Sequence, residues 1–126
     1  QLTCSDGGER LGILTDLGHA TSHVLAQLAG CGSLLLECNH DPEMLRDGPY
    51  PPSLKARVGG DAGHLSNPQA AGLMRGYARK RLQHLVLTHL SEKNNTPALA
   101  RADIAAVSSR RRPPAATAQP PRSRPA

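Results

Sequence analysis

Short apolar runs alternate with helix-like stretches along this chain. Three of the runs predict β-strands, at Arg10–Thr15, residues 33–38 and residues 82–88. The run at 33–38, SLLLEC, is apolar on both faces, which is typical of a central strand covered on two sides. A DGG turn at residues 6–8 joins a further short run to the first strand. It predicts a β-hairpin, because glycine tolerates the positive φ of tight turns.

Helical patterns fill the segments between the strands. Asn67 is predicted to cap the clearest helix, because asparagine before a first-turn proline is a common helix start. Gly30 is predicted to close the first helix. The predicted helix starts are Thr21 or Ser22, Asp41-Pro42, Ser53, Asn67-Pro68 and Thr96-Pro97. The apolar faces predicted for these helices are formed by Val24, Leu25, Leu28, Ala29; Leu54, Val58; Ala70, Ala71, Met74, Tyr77, Ala78; and Ala100, Ile104, Val107.

The order of these elements predicts an α/β fold. Strands that alternate with helices form a parallel sheet with right-handed crossovers. Functional sites in such sheets lie outside the carboxyl ends of the strands. We expect one domain over residues 1–107, followed by a disordered Arg/Pro-rich tail over residues 108–126, which has too little apolar surface to fold.

The positive charge is confined to the predicted tail. The formal net charge is +5, but five arginines lie after residue 107, so the ten basic and ten acidic residues before it balance. The tail could be a basic arm for nucleic acid or an acidic partner, or an accidental terminus read in a shifted frame. The chain has two tyrosines and neither Phe nor Trp, which argues against an aromatic platform for nucleic acid.

The three cysteines do not form a metal or disulfide motif. Cys4, Cys31 and Cys38 are far apart and lack CxxC spacing. We expect buried free thiols and a reducing cytoplasm. No apolar run approaches the ~20 residues of a membrane span, and no signal peptide is apparent, so no membrane association is expected. Because the chain begins at Gln1 without methionine, we expect the protein to start upstream.

Three predicted strands end in residues that can bind metal or transfer protons. Asp16, Glu37 and His89 would meet at one edge if the strands are parallel, and carboxylates and imidazoles suit zinc or manganese. His64 lies in a glycine-flanked loop just before a helix, a suitable place for an acid–base histidine. Helix caps and turn hydrogen bonds are the alternative role for each residue.

Four segments resemble a known family in type and order. GILTDLGH, LLLECNHD, GGDAGHLSN and LVLTHLSEKNN, within residues 8–105, resemble the C-terminal part of metallo-β-lactamase-fold hydrolases. The most similar branch is the YycJ/WalJ-like one, which is related to tRNase Z-type nucleases. The resemblance implies the C-terminal half of an αββα sandwich whose active site holds two divalent ions, Zn or Mn.

The resemblance also implies roles for individual residues. Asp16 would bridge the two metal ions, and His89 would bind the second. Glu37 would pair with His64, and the pair would protonate the leaving oxygen. Asn39 and His40 belong to the family's NHD segment and would line the site.

The chain departs from the family pattern at its main signature. HxHxDH is absent from the 126 residues, so the rest of the ligand set is expected before Gln1. The missing half would also carry the partner sheet, which leaves an apolar sheet face exposed. We expect a cytoplasmic metal-dependent hydrolase with a phosphodiester substrate, nucleic acid above all. The alternatives are a hydrolase of thioesters or other small esters, and an inactive truncated fragment.

The remaining polar residues receive structural interpretations. A metal pair of His19 and His23 is disfavoured, because His19 lies before the helix cap. His84 is predicted to point away from His89, since the two are an odd number of positions apart on one strand. Asn94 and Asn95 are expected to order the loop after His89 through side-chain hydrogen bonds.

Overall fold

The computed structural model describes residues 1–77 and 82–109, which form four strands and five helices. The described helices and strands follow the predicted order. They are β1 (Leu2–Ser5), β2 (Arg10–Leu14), α1 (Ser22–Leu28), β3 (Ser33–Glu37), α2 (Pro42–Asp47), α3 (Pro52–Gly59), α4 (Asn67–Gly76), β4 (His84–Thr88) and α5 (Pro97–Ser109). Ala78 and most of the predicted tail, residues 110–126, lie outside the described residues.

The strands form one mixed sheet in the order β1-β2-β3-β4. β2, β3 and β4 are parallel, as the alternation with helices predicted, and β1 pairs antiparallel with β2 through the predicted hairpin. Gly7 has a φ of 97° in the turn, a value that L-residues rarely adopt. The three parallel strands therefore direct their carboxyl ends to one edge of the sheet.

One face of the sheet carries the core. Leu14, Leu34 and Leu36 point to this face and are almost fully buried. The helical residues of the same core are Leu28, Ala70, Ala71, Met74, Tyr77, Ala100, Ile104 and Val107. The predicted helical faces are thus largely confirmed, but Ala29 is exposed because α1 ends at Leu28.

The opposite face of the sheet is open. Leu2, Ile13, Leu35 and Val86 are successive partners across the four strands, so they form one apolar row. Leu2 is 56% exposed and Val86 is 52% exposed. The prediction that β3 is covered on both sides is wrong for the described residues. Leu34 and Leu36 are buried on one face, but Leu35 on the other face is only partly buried. The expected exposed apolar face is present.

Side-chain caps fix the starts of the helices. Thr21, one of the two residues predicted to cap α1, is the cap and accepts a hydrogen bond from the Val24 amide at 3.3 Å. The prediction that Asn67 caps α4 is wrong. Ser66 is the cap and forms a capping box with Gln69, while Asn67 lies inside the helix and is fully buried. None of the helices in residues 1–77 and 82–109 has both the length and the apolarity that crossing a bilayer requires.

The cysteines differ in exposure and reactivity. All three are free thiols, but Cys4 lies exposed on the edge strand β1, so the expectation of burial is wrong for it. Cys31 and Cys38 are buried. Burial, with the negative charges of Glu37 and Asp103, raises the pKa of the Cys38 thiol to about 12.

We expect a thiol reagent at pH 8 to modify Cys4 rapidly and Cys31 and Cys38 only when the chain unfolds. The thiolate is the reactive species, and the Cys38 thiol stays protonated and covered. In stopped-flow absorbance with a disulfide reagent, one of the three thiols should react in a fast phase, and Cys4→Ser should remove that phase. Two or more fast phases in the native protein would contradict the burial of this pair.

Candidate metal centre

Four polar side chains meet at the carboxyl edge of the parallel strands. Glu37 ends β3, Asp16 follows β2 by two residues, and His89 comes directly after β4. His64 reaches the same place from the loop before α4. Each of the four offers one ligand atom, and these atoms all lie within 4.8 Å of one another.

Glu37 is the centre of this four-residue cluster. Its side chain is fully buried, and Oε1 accepts hydrogen bonds from Nδ1 of His64 at 2.8 Å and from Nδ1 of His89 at 2.6 Å. Oε2 accepts from the amides of Leu17 at 3.3 Å and Leu65 at 3.2 Å. Burial alone would raise the pKa of Glu37, but these four hydrogen bonds outweigh it and lower the pKa, so the carboxylate stays ionised.

The bonds to Glu37 determine which imidazole nitrogen remains free. An ionised carboxylate only accepts hydrogen bonds, so Nδ1 of both histidines must carry hydrogen. Nε2 of each ring is then the nitrogen left to bind a metal or to exchange a proton. A carboxylate that holds the far nitrogen of a metal-binding histidine fixes its ring and tautomer. The bond between Glu37 and His89 was not predicted from the sequence.

Asp16 forms the exposed side of the cluster. Its Oδ1 lies 3.4 Å from Nδ1 of His64 and 3.6 Å from Nδ1 of His89, and its side chain is 69% exposed. The two imidazole rings meet edge to face, with centroids 5.3 Å apart. The cluster is therefore open to solvent at Asp16 and closed at Glu37.

Backbone strain is concentrated at the two predicted metal ligands. Asp16 has a φ of 56° and His89 a φ of 57°, and within the described residues these are the non-glycine positions with positive φ. This left-handed conformation costs about 1 kcal/mol or more for a residue with a side chain, and such strain often occurs at functional sites. In both cases the chain leaves its strand and turns sharply, which directs the side chain to the sheet edge.

Close packing of two loops brings Asp16 near His64. A Cβ atom on Gly18 would lie 2.1 Å from the carbonyl oxygen of Asp61, so only glycine allows the loops to touch here. His19 supports the contact by donating from Nδ1 to the same carbonyl oxygen at 3.1 Å. His19 and His23 lie outside the four-residue cluster.

The NHD segment holds the loop that carries His89. Asn39 donates from Nδ2 to the carbonyl oxygen of His89 at 3.0 Å. It also lines a cleft beside His64 and His89. His40 is almost fully buried, and burial lowers the pKa of its imidazole. It lines a separate cavity next to Ser66 and not the cleft beside His64 and His89.

A buried pair of asparagines supports the site from behind. Asn95 donates to Asn67 Oδ1 and accepts from Asn67 Nδ2, both at 2.9 Å, and it also donates to the carbonyl oxygen of Cys38 at 2.7 Å. The expected ordering role of Asn95 is thus observed. For Asn94 the expectation of side-chain hydrogen bonds is wrong, because both polar atoms of its buried amide lack partners in the described structure.

The cluster fits one divalent ion. Ligand atoms about 2.1 Å from one ion can lie at most ~4.2 Å apart, so a spread of 4.8 Å needs a small inward movement, and an imidazole that binds through Nδ1 must first release its hydrogen bond to Glu37. Two carboxylates and two imidazoles suit zinc or manganese. Two ions require more ligands than these four side chains provide.

The fold and the cluster define an α/β protein with a candidate metal centre at the carboxyl edge of its sheet. Comparison with curated proteins finds similarity to exodeoxyribonuclease YycJ of Bacillus anthracis, 36% identical over 102 residues, or 81% of this chain and 39% of the relative. Exodeoxyribonuclease WalJ of Streptococcus pneumoniae is 39% identical over 88 residues, or 70% of this chain and 33% of the relative.

The similarity to the YycJ/WalJ branch is therefore confirmed, and it is partial. The relatives are proteins of the metallo-β-lactamase fold, and the chain spans between a third and two fifths of their length. No family model and no solved structure matches the chain.

Proposed function

We propose that this chain is part of a metal-dependent phosphodiesterase that degrades DNA, built as the C-terminal half of a metallo-β-lactamase αββα sandwich. The observation that carries the proposal is the four-residue cluster of Asp16, Glu37, His64 and His89 at the sheet edge. The names of the two relatives support DNA as the substrate. The open apolar row on the sheet supports a sandwich, because a second sheet would cover it.

Asp16 and His89 are the proposed metal ligands. Both are exposed enough to meet an ion, and both are held in strained backbone conformations that aim them at one point. Bound divalent ions supply an activated water and neutralise the charge that develops on the phosphoryl oxygens. The donors on this chain would hold part of a two-ion site, with Zn or Mn as the fitting ions.

His64 is the proposed proton donor, and Glu37 positions it. The hydrogen bond of 2.8 Å from Nδ1 to Glu37 fixes the ring and its tautomer, so Nε2 is the nitrogen that would pass a proton to a leaving oxygen. Glu37 holds His89 in the same way at 2.6 Å. One buried carboxylate would therefore orient both the acid and a metal ligand.

The test of this function uses the complete gene product that contains the chain. With Mn²⁺ or Zn²⁺ it should release nucleotides from end-labelled DNA, and His64→Ala should lower kcat about 100-fold or more. His84→Ala is the matched control, because His84 is an exposed histidine on β4 outside the cluster. Turnover of thioesters without release of nucleotides would replace the proposal by a small-ester hydrolase.

Metal uptake by the 126-residue chain gives an independent readout. Calorimetric titration with Zn²⁺ should show one weak site, since four side chains cannot complete a two-ion centre. The double variant Asp16→Ala/His89→Ala should abolish the heat of binding, and His84→Ala should not. Unchanged binding in the double variant would remove both residues from the ligand set.

A further inference from the structure

A cleft opens beside the four-residue cluster. Its volume is about 340 Å³, and His64 and His89 both line it. Small-molecule sites typically have volumes of ~300–1,000 Å³, so this cleft is at the small end of the range. A ligand that reaches from the cluster into the cleft would be about the size of a single nucleotide.

The apolar part of the cleft presents an aromatic ring. Tyr50, Val58 and Leu90 line it, and all three are half-buried. Tyr50 has no side-chain hydrogen bond within residues 1–77 and 82–109. Tyr77, the other tyrosine of the chain, is buried and donates to the carbonyl oxygen of Leu28 at 2.6 Å, so it serves the core. Tyr50 is therefore the aromatic side chain placed to stack on a base.

The polar part of the cleft carries an unpaired positive charge. Lys93 lines the cleft from the loop after His89 and is exposed. No carboxylate of the described residues forms an ion pair with it. Glu92 lines the cleft as well, and its carboxylate disfavours a phosphate beside it but can accept hydrogen bonds from a sugar hydroxyl or a base amino group. The two neighbours thus favour a ligand with both an anionic and a hydrogen-bond-donating part.

We propose that this cleft is a nucleotide subsite, in which Tyr50 stacks on a base and Lys93 contacts a phosphate next to the cluster. A nucleotide combines the flat ring, the sugar donors and the phosphate that the lining residues match. The inference rests on the proposed function, because it identifies the ligand as a unit of the DNA substrate. It makes Tyr50 and Lys93 substrate-positioning residues, with no part in proton transfer.

The binding test uses the 126-residue chain and a deoxynucleoside 5′-monophosphate. The chain has no tryptophan, so its fluorescence comes from Tyr50 and Tyr77, and stacking should quench Tyr50. Tyr50→Leu should abolish the quenching while the emission of Tyr77 remains, and calorimetry should show affinity about 10-fold lower. Tyr50→Phe, which keeps the ring, should bind within about 2-fold of the unchanged chain.

The lysine has its own matched control. Lys93→Gln should weaken binding about 3-fold to 5-fold and reduce its salt dependence, since one phosphate contact is lost. Lys55→Gln should change nothing, because Lys55 lies outside the cleft and donates to the carbonyl oxygen of Arg46. If Tyr50→Leu binds the nucleotide as tightly as the unchanged chain, or if inorganic phosphate binds as tightly as the nucleotide, the subsite is wrong.

Kinetics on the gene product separate the subsite from the proposed function. If DNA is degraded, Tyr50→Leu should raise KM about 10-fold with little change in kcat, as expected for lost substrate binding. Degradation of DNA with an unchanged KM in Tyr50→Leu would overturn the subsite and leave the function. Base-dependent quenching in a protein that does not cleave DNA would overturn the function and leave the subsite.

Discussion

Replacing Glu37 by alanine should lower the free energy of unfolding by about 3–5 kcal/mol. Four donors converge on this carboxylate, and two of them are the backbone amides of Leu17 and Leu65. Alanine would leave the Leu65 amide without its partner in a buried place and would remove most of a fully buried side chain. A loss of this size is a large fraction of the stability of a small domain.

Glu37→Gln is the matched variant, because it keeps the shape and removes the charge. One amide oxygen can still accept from Leu17 and Leu65, and the amide NH₂ can donate to neutral imidazoles of His64 and His89. We expect a loss of only about 1–2 kcal/mol for this variant. In the gene product it should nevertheless lower kcat, since an amide that donates to Nδ1 of His64 changes the tautomer that the ring presents at Nε2.

Urea unfolding followed by far-UV circular dichroism measures both variants. Equal stability losses in alanine and glutamine would mean that the charge of Glu37, and not its hydrogen-bonding oxygens, stabilises the site. No loss in either variant would contradict the observed convergence of four donors.

Replacing Asn95 by alanine should cost about 2–4 kcal/mol of unfolding free energy. The side-chain amide of Asn95 makes four hydrogen bonds. Two are with Asn67, one is donated to the carbonyl oxygen of Cys38, and one is accepted from the backbone amide of Thr96 at 2.9 Å. Alanine leaves the buried Asn67 amide and the carbonyl of Cys38 unpaired. Because this pair joins β3, α4 and the start of α5, the loss should reduce the stability of the whole domain.

The neighbouring Asn94 provides the control. It is the same residue type and is fully buried, but its amide has no partner within the part of the chain that the structure describes. Asn94→Ala removes an unsatisfied polar group, so it should cost less than about 1 kcal/mol. The difference between the two alanine variants in urea midpoint isolates the hydrogen bonds from the effect of side-chain size. Equal midpoints would show that the Asn67–Asn95 pair contributes nothing.

Local patterns predicted the elements well because local forces form them. The alternation of strands and helices predicted the parallel sheet, and the DGG turn predicted the antiparallel β1. The errors arose where a tertiary contact competed with a local preference. Asn67 is a good cap by type, but Ser66 takes that role and Asn67 is buried against Asn95. Leu35 looks like a fully buried strand residue, yet it lies on the open face of the sheet.

The candidate site was predictable in position and less so in its contacts. Parallel strands bring their carboxyl ends to one edge, so Asp16, Glu37 and His89 were expected near one another. The sharing of Glu37 Oε1 by two histidines had no signal in the sequence, because it depends on side-chain direction at three separate turns. The sequence also contained no signal for the cleft with Tyr50 and Lys93, since its walls come from segments about forty residues apart.

The sequence by itself determined which residues of this protein could carry charge, metal and protons, and it determined the order of the strands that present them. Those properties follow from side-chain chemistry and from a periodicity of a few residues. Only the tertiary structure decided that one buried carboxylate holds both histidines, and that Asp16 and His89 take left-handed conformations to reach it. Hydrogen bonds depend on distances of a few tenths of an ångström, and packing across the whole domain sets those distances.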